Sequence, residues 1–235
     1  MSQESDRRRR ILITGCGRSG TRYVVALLVK HGLDVRHEDV GRDGVASWCM
    51  AVDSRSTPWG PPRRDYDFEH TFHQVRAPLR AIPSMIGFKD RSWRYIAEWC
   101  PCPVDDPPLL RAAKYWYYWN LEAEKVSQWR YRIEDFRDVY PEFCARLGIV
   151  ASQETLDALA TDINTRSQGR LLHLYDELCL KIGLYPGERI RGWLSFESRE
   201  AKPKSEPLTW DRLRELDAGL CESIRAKAEE YGYPA

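Results

Sequence analysis

The sequence predicts an α/β fold: a single domain with a mainly parallel central sheet flanked by helices. Three observations predict it. Short apolar runs alternate with longer amphipathic segments along the chain, without internal repeats. The first apolar run passes through a glycine-rich turn directly into a helical pattern, "ILITGCGRSGTRYVVALLVKHG" from Ile11 to Gly32. At 235 residues the chain is long enough to bury one substantial core.

Taken in order, the first strand is "RILIT", ending at Gly15, and the helix after it is capped by Ser19 or Thr21. "LDVRHE" and "HTFHQVR" read as the second and third strands. Pro78, at the favoured first position, opens a helix over "PLRAIPSMIG". A long helix follows from about Leu109 to Gln128, then a fourth strand, "WRYRIEDF". "TWDRLRELDAGLCESIRAKAEEYGY" closes the chain as one amphipathic helix. Asp53 to Tyr66 and Arg191 to Pro207 carry the Pro, Gly and Ser of long loops, which in compact domains are usually functional or disordered.

Composition narrows the function. Net charge is +1 with acids and bases nearly balanced, so nucleic-acid binding would need a local basic patch, and the only basic run is Arg7 to Arg10. That run reads as a solvated tail, residues 1–10, ahead of a domain over 11–235. No signal-peptide core follows it and no apolar stretch reaches membrane-spanning length, so a cytoplasmic protein without a membrane span is expected. Seven cysteines, an odd number without paired C-x-x-C spacing, argue against a disulfide framework and a zinc ribbon and read as mostly buried thiols. Cys100 and Cys102 flank Pro101 in a rigid proline-rich loop.

The loop carries the chemistry. After a strand, the turn from Gly15 to Gly20 lets backbone N–H groups converge on an anion, and the following helix turns its positive end toward it. A nucleotide triphosphatase loop would read G-x-x-x-x-G-K-[ST]; here Thr21 stands where the lysine belongs, and the cations are Arg18 and Arg22. No apolar strand ends in an Asp suited to holding Mg²⁺. A single 5′-phosphate group fits this loop better than a metal-bound triphosphate.

These residues resemble the sulfotransferases that use 3′-phosphoadenosine 5′-phosphosulfate (PAPS), whose phosphosulfate loop reads R-S-G-T or R-S-G-S in several carbohydrate-directed branches; here it is Arg18-Ser19-Gly20-Thr21. A second family motif, R-D-P followed by a serine six residues after the proline, is echoed in "RAPLRAIPS" by Arg76, Pro78 and Ser84. "YWYYWN" and "YRIEDF" are weaker echoes, so the resemblance runs from about Ile11 to Phe136. It implies a P-loop NTPase-like sulfotransferase architecture and transfer of a sulfuryl group from PAPS to a hydroxyl of a small-molecule or carbohydrate acceptor, with release of PAP and no metal. Gly17, Arg18, Ser19, Gly20, Thr21 and Arg22 would hold the 5′-phosphate, and Arg76 and Ser84 the 3′-phosphate. Ala77 replaces the family's Asp, and Pro83 removes a helical N–H beside Ser84.

Sulfuryl transfer needs a cation on the leaving group and a base for the acceptor proton. Arg18 stands at the position of the family's lysine and, remaining protonated, is assigned as an electrostatic clamp. Glu38 is the first choice of base, because the second strand ends on the ligand-binding edge of an open α/β sheet and some similar sulfotransferases carry a glutamate at about this distance from the loop. His37, Asp43, His70 and His73 are its rivals, with His73 reading as a core residue. Trp116, Trp119 and Ala123 share a helical face and read as packing, whereas Trp48 and Trp59 lie in loops where a sugar or flat ring could stack. Two other readings stay open: a nucleotide kinase, which should need Mg²⁺, and a PAP- or nucleotide-binding protein without turnover. Acceptor identity and oligomeric state are not legible.

Overall fold

The computed structural model describes residues 7–162 and 207–234. The chain divides into two units, residues 1–156 with 207–235 and residues 157–206; the architecture below is that of the first. The expected loop from Arg191 to Pro207 lies, but for Pro207, outside the described residues.

Five strands form one sheet: β1 (Arg8–Thr14), β2 (Val35–His37), β3 (Gly44–Ala46), β4 (Asp67–Val75) and β5 (Trp129–Arg132). Their order is β2-β3-β1-β4-β5, and every pairing is parallel. Between the strands lie α1 (Thr21–Lys30), α2 (Pro78–Met85), α3 (Asp90–Ala97) and α4 (Pro108–Val126); after β5 come α5 (Phe136–Arg146), α6 (Gln153–Asp162), α7 (Trp210–Leu216) and α8 (Ala218–Glu230). The mainly parallel sheet flanked by helices is therefore present.

Burial explains the strand patterns. β1 is the central strand, covered on both faces, so Ile11, Leu12 and Ile13 form a continuous apolar run rather than an alternation. β4 alternates at its exposed start and is buried from Thr71 to Val75. α4 buries Ala112, Tyr115, Trp116, Trp119 and Ala123 along one face. Its indoles also fasten it to the sheet's upper loops, with Trp116 Nε1 donating to the Arg76 carbonyl at 3.0 Å and Trp119 Nε1 to the Trp48 carbonyl at 2.9 Å.

Several expectations change. β1 begins at Arg8, so Arg8 to Arg10 are strand residues paired beside β4 rather than tail. β3, not anticipated, takes only Gly44, Val45 and Ala46, too short to show periodicity. The chain reverses between β2 and β3 because side chains bond main chain: Asp43 accepts from the Asp34 N–H at 2.7 Å and Asp34 from the Arg42 N–H at 2.9 Å. The closing helix breaks in two at Asp217, whose φ of −162° is extended and whose carboxylate caps α8 at the Leu220 N–H. Among the described residues no helix is long and apolar enough to cross a membrane.

Candidate functional site

Because all five strands are parallel, their C-terminal ends lie on one edge of the sheet. That edge gathers the loop after β1, Glu38 after β2, Ser47 after β3, Arg76 after β4 and Glu134 after β5. A parallel sheet binds ligands at this edge.

The loop is built from the strand outward. Gly17 has no room for a side chain: a Cβ there would lie 2.7 Å from the Phe88 ring. Its N–H donates to the Tyr115 hydroxyl at 2.7 Å. Gln74, fully buried in β4, donates to the Ser19 carbonyl at 2.7 Å and is itself held by the Tyr131 hydroxyl, also at 2.7 Å. Gly20, with φ of 95°, is the N-cap of α1, so neither Ser19 nor Thr21 caps the helix as expected. The glycine releases both hydroxyls for other work. Thr21 Oγ1 meets His37 Nε2 at 3.1 Å, while Ser19 Oγ is buried with no hydrogen-bond partner among the described residues. The first turn of α1 has neither a side-chain cap nor an acidic residue. Orphan helix N–H groups and a buried, unclaimed hydroxyl fit an anion.

Cations surround this cradle. Arg18 has a left-handed backbone, φ 69°, and its guanidinium lies 5.4 Å from the centre of the Phe88 ring. Burial, and then the charge of Arg22, lowers its pKa, yet a guanidinium stays protonated near neutrality. Arg76 donates to the Arg18 carbonyl at 3.0 Å, so the end of β4 is fastened to the loop. Ser84 stands apart from that contact, its hydroxyl donating to the Ala81 carbonyl within α2 at 2.6 Å. The turn at Ala77 is bonded from beyond the end of β5: the Ala77 N–H donates to Glu134 Oε1 at 3.1 Å, and Tyr233 holds the other carboxylate oxygen at 2.8 Å.

Glu38 also has a left-handed backbone, φ 61°. Its Oε2 accepts from the Ser47 hydroxyl at 2.5 Å. Burial pushes its pKa up to about 7, against the opposing effects of Ser47, the Trp48 N–H and the charge of Arg22. The Thr21 contact brings His37 to the loop as well, but burial and then the charges of Arg22 and Arg18 lower its pKa to about 4, leaving a neutral imidazole. The two side chains are neighbours, with His37 Nε2 at 3.9 Å from Glu38 Oε1.

The other rivals lie elsewhere. Asp43 precedes β3 at the opposite edge and pairs with Arg42 at 2.9 Å. His70 pairs with Ile11 in mid-sheet and faces Glu69 at 3.4 Å. His73 is a core residue, bonded to Asn120 Oδ1 at 2.9 Å, its other ring nitrogen without a partner among the described residues. Trp48 is buried too, ringed by Phe88, Tyr95, Tyr115 and Trp119, so it packs the core rather than offering a stacking face. Cys16, Cys49, Cys100, Cys102, Cys144 and Cys221 are buried free thiols, and Cys179 lies outside the described residues.

Sequence reasoning missed Gln74, Tyr115, Ser47 and Glu134. Only Gln74 carried a signal, as a polar side chain near the end of a strand that is otherwise apolar at that end.

The sequence matches no family model and no curated protein. Among solved structures it is similar to the mouse sulfotransferase SULT7A1 complexed with PAP, at 11% identity and a TM-score of 0.39, over 98% of this chain and 90% of that one. A likeness of that size assigns no residue a role.

Proposed function

We propose that the chain is a PAPS-dependent sulfotransferase that passes a sulfuryl group to a hydroxyl of a small-molecule or carbohydrate acceptor and releases PAP. One observation carries the reading: at the C-terminal edge of the sheet, a cationic glycine loop, with a buried hydroxyl that has no partner among the described residues, shares its edge with a glutamate whose pKa is pushed up to about 7.

PAPS supplies the sulfuryl group and a 5′-phosphate that departs as an anion. In this reading Ser19, Gly20, Thr21 and Arg22, with Gly17 setting the turn, hold that phosphate, and Arg76 holds the 3′-phosphate through charge-assisted bonds. Arg76 suits the task because its bond to the Arg18 carbonyl sets it beside the loop. Ser84 is the weaker partner, since its hydroxyl is already engaged in α2. Arg18 lies against Phe88 and stabilises the charge that grows on the leaving oxygen. Glu38 takes the acceptor proton as the new bond to sulfur forms; Ser47 fixes its orientation and burial keeps it basic enough at neutral pH. The neutral His37 positions Thr21 rather than competing for that proton.

The test uses both ligands and turnover. PAP and PAPS should raise the melting temperature without added metal, and labelled sulfate should move from PAPS to members of a hydroxyl-acceptor panel. A flat melting curve with both ligands refutes the reading; a rise without any transfer favours a binding protein; a response only to ATP with Mg²⁺ favours a kinase.

A further inference from the structure

We propose that the acceptor is a hydroxylated ring compound carrying an anionic group, its ring stacked on Trp59 and its anion held by Arg91. The proposal rests on the sulfotransferase reading and names the substrate class of that site.

Trp59 stands in the irregular segment between the Cys49–Ala51 turn and β4, and at 36% exposure it is one of the few large apolar side chains at the surface. The segment is fixed rather than loose there. The one hydrogen of Thr57 Oγ1 is shared between the carbonyls of Trp59 at 2.8 Å and Gly60 at 2.5 Å, and the indole Nε1 donates to Ser92 Oγ at 3.2 Å. An aromatic ring held by its edge while its surface stays accessible is a platform for another ring.

Its position joins base to clamp. Gly60, with φ of 73°, rests on the main chain of Glu38: a Cβ there would lie 2.1 Å from the Glu38 carbonyl oxygen, so only glycine fits. The Cys49 thiol, hydrogen-bonded to the Trp59 main chain, also feels the Glu38 carboxylate. On the other side, Ser92 and Arg91 open α3 just after Phe88, the ring that touches Gly17 and lies under Arg18. The Trp59 segment is thus tied to the main chain of Glu38 on one side and, through Ser92, to the helix that follows Phe88 on the other, which places a ring stacked there beside the proposed acceptor site.

Arg91 supplies the charge preference. Its guanidinium lies 5.4 Å from the centre of the Trp59 ring and makes no ion pair or hydrogen bond with any described residue. Three other exposed arginines are claimed by carboxylates, Arg36 by Asp34, Arg42 by Asp43 and Arg64 by Asp53, whereas Arg91 lies on an aromatic ring instead. A planar guanidinium held on an aromatic face with its donors free suits a carboxylate or sulfate carried by the stacked ring.

The experiment compares matched pairs, 4-hydroxyphenylacetate and its methyl ester, and phenyl glucuronide and its methyl ester. Binding to the PAP-loaded protein is followed by saturation-transfer NMR and calorimetry, and turnover with labelled PAPS. Each acid should bind about tenfold or more tightly than its ester. Arg91→Gln should erase that preference without changing the Kd for PAP, and Trp59→Ala should weaken both members of a pair while Trp59→Phe retains part of the affinity. Equal binding of acid and ester, a preference that survives Arg91→Gln, or failure of both acids to bind the PAP-loaded protein overturns the proposal. Absence of PAP binding would instead overturn the sulfotransferase reading beneath it.

Discussion

Glu38→Gln should make the protein more stable and less active, and the stability gain should depend on pH. In the unfolded chain the carboxyl titrates at its ordinary 4.5, and in the fold at about 7. The sign follows from that order. Well below pH 4.5 the group is protonated in both states and its ionisation contributes nothing to the difference. Between the two values only the unfolded state gains by ionising, and above 7 the folded state carries a buried carboxylate. Each pKa unit is worth about 1.4 kcal/mol, so the penalty grows to roughly 3 kcal/mol by pH 8. Glutamine keeps the shape and can still accept from Ser47, but it never ionises. Urea unfolding of both proteins, read from the fluorescence of buried Trp93, Trp116 and Trp119, should therefore show a difference that is small at pH 4 and roughly 3 kcal/mol larger at pH 8. Turnover should fall about 10²–10⁴-fold with PAP affinity barely changed, and the acidic limb expected of the native pH profile, rising through about 7, should flatten. A stability difference that does not vary with pH would refute the protonated, buried carboxyl. Near-normal turnover in the variant would remove Glu38 as the base and leave its burial unexplained by function.

The remaining expectations concern the loop. Arg18→Ala should lower kcat on the order of 10²-fold or more, with Lys restoring part of it; unchanged kcat would remove the clamp. Arg76→Ala should weaken PAP by ~2 kcal/mol or more, while a ligand lacking the 3′-phosphate loses far less, in a calorimetric comparison. Ser19→Ala removes a buried hydroxyl without a partner among the described residues, so stability should stay within ~0.5 kcal/mol while PAP affinity drops by ~1 kcal/mol. Tyr115→Phe strands the buried Gly17 N–H and should cost about 1–3 kcal/mol of stability in urea unfolding.

The parts of this site that were legible are those encoded within a few residues of each other. The strand, the glycine spacing and the helix of the loop follow from Ile11 to Gly32 alone, and the placement of Glu38 on the ligand edge follows from its coming after an apolar run in a parallel sheet. What was not legible are the contacts that cross the sheet. Gln74 reaches Ser19 from the neighbouring strand, Tyr115 reaches Gly17 from a helix nearly a hundred residues on, and Ser47 depends on β3, whose three residues show no period. Trp48 misled for a related reason: Gly and Ser around it read as a loop, yet it leaves the end of β3 into a cluster of aromatics contributed by three other segments. Helix ends failed where backbone conformation decided them: Gly20 at positive φ takes the cap from Ser19 and Thr21, and Asp217, fully extended, breaks one expected helix into two.

Backbone geometry adds an argument independent of any motif. Among the described residues only two that are not glycine have positive φ, Arg18 at 69° and Glu38 at 61°. Each left-handed residue with a Cβ costs on the order of 1 kcal/mol, and glycine would remove that cost. They follow β1 and β2, the strands on either side of β3, so both stand on the same edge of the sheet, with the charge of Arg22 acting on both. Neither conformation is explained by core packing: Arg18 stays solvent-exposed, with Phe88 against its guanidinium, and Glu38 brings a carboxyl into a place where burial opposes its charge. Held in these conformations, the guanidinium and the carboxyl are oriented before any ligand arrives, which is the condition for acting on charge that develops only in the transition state.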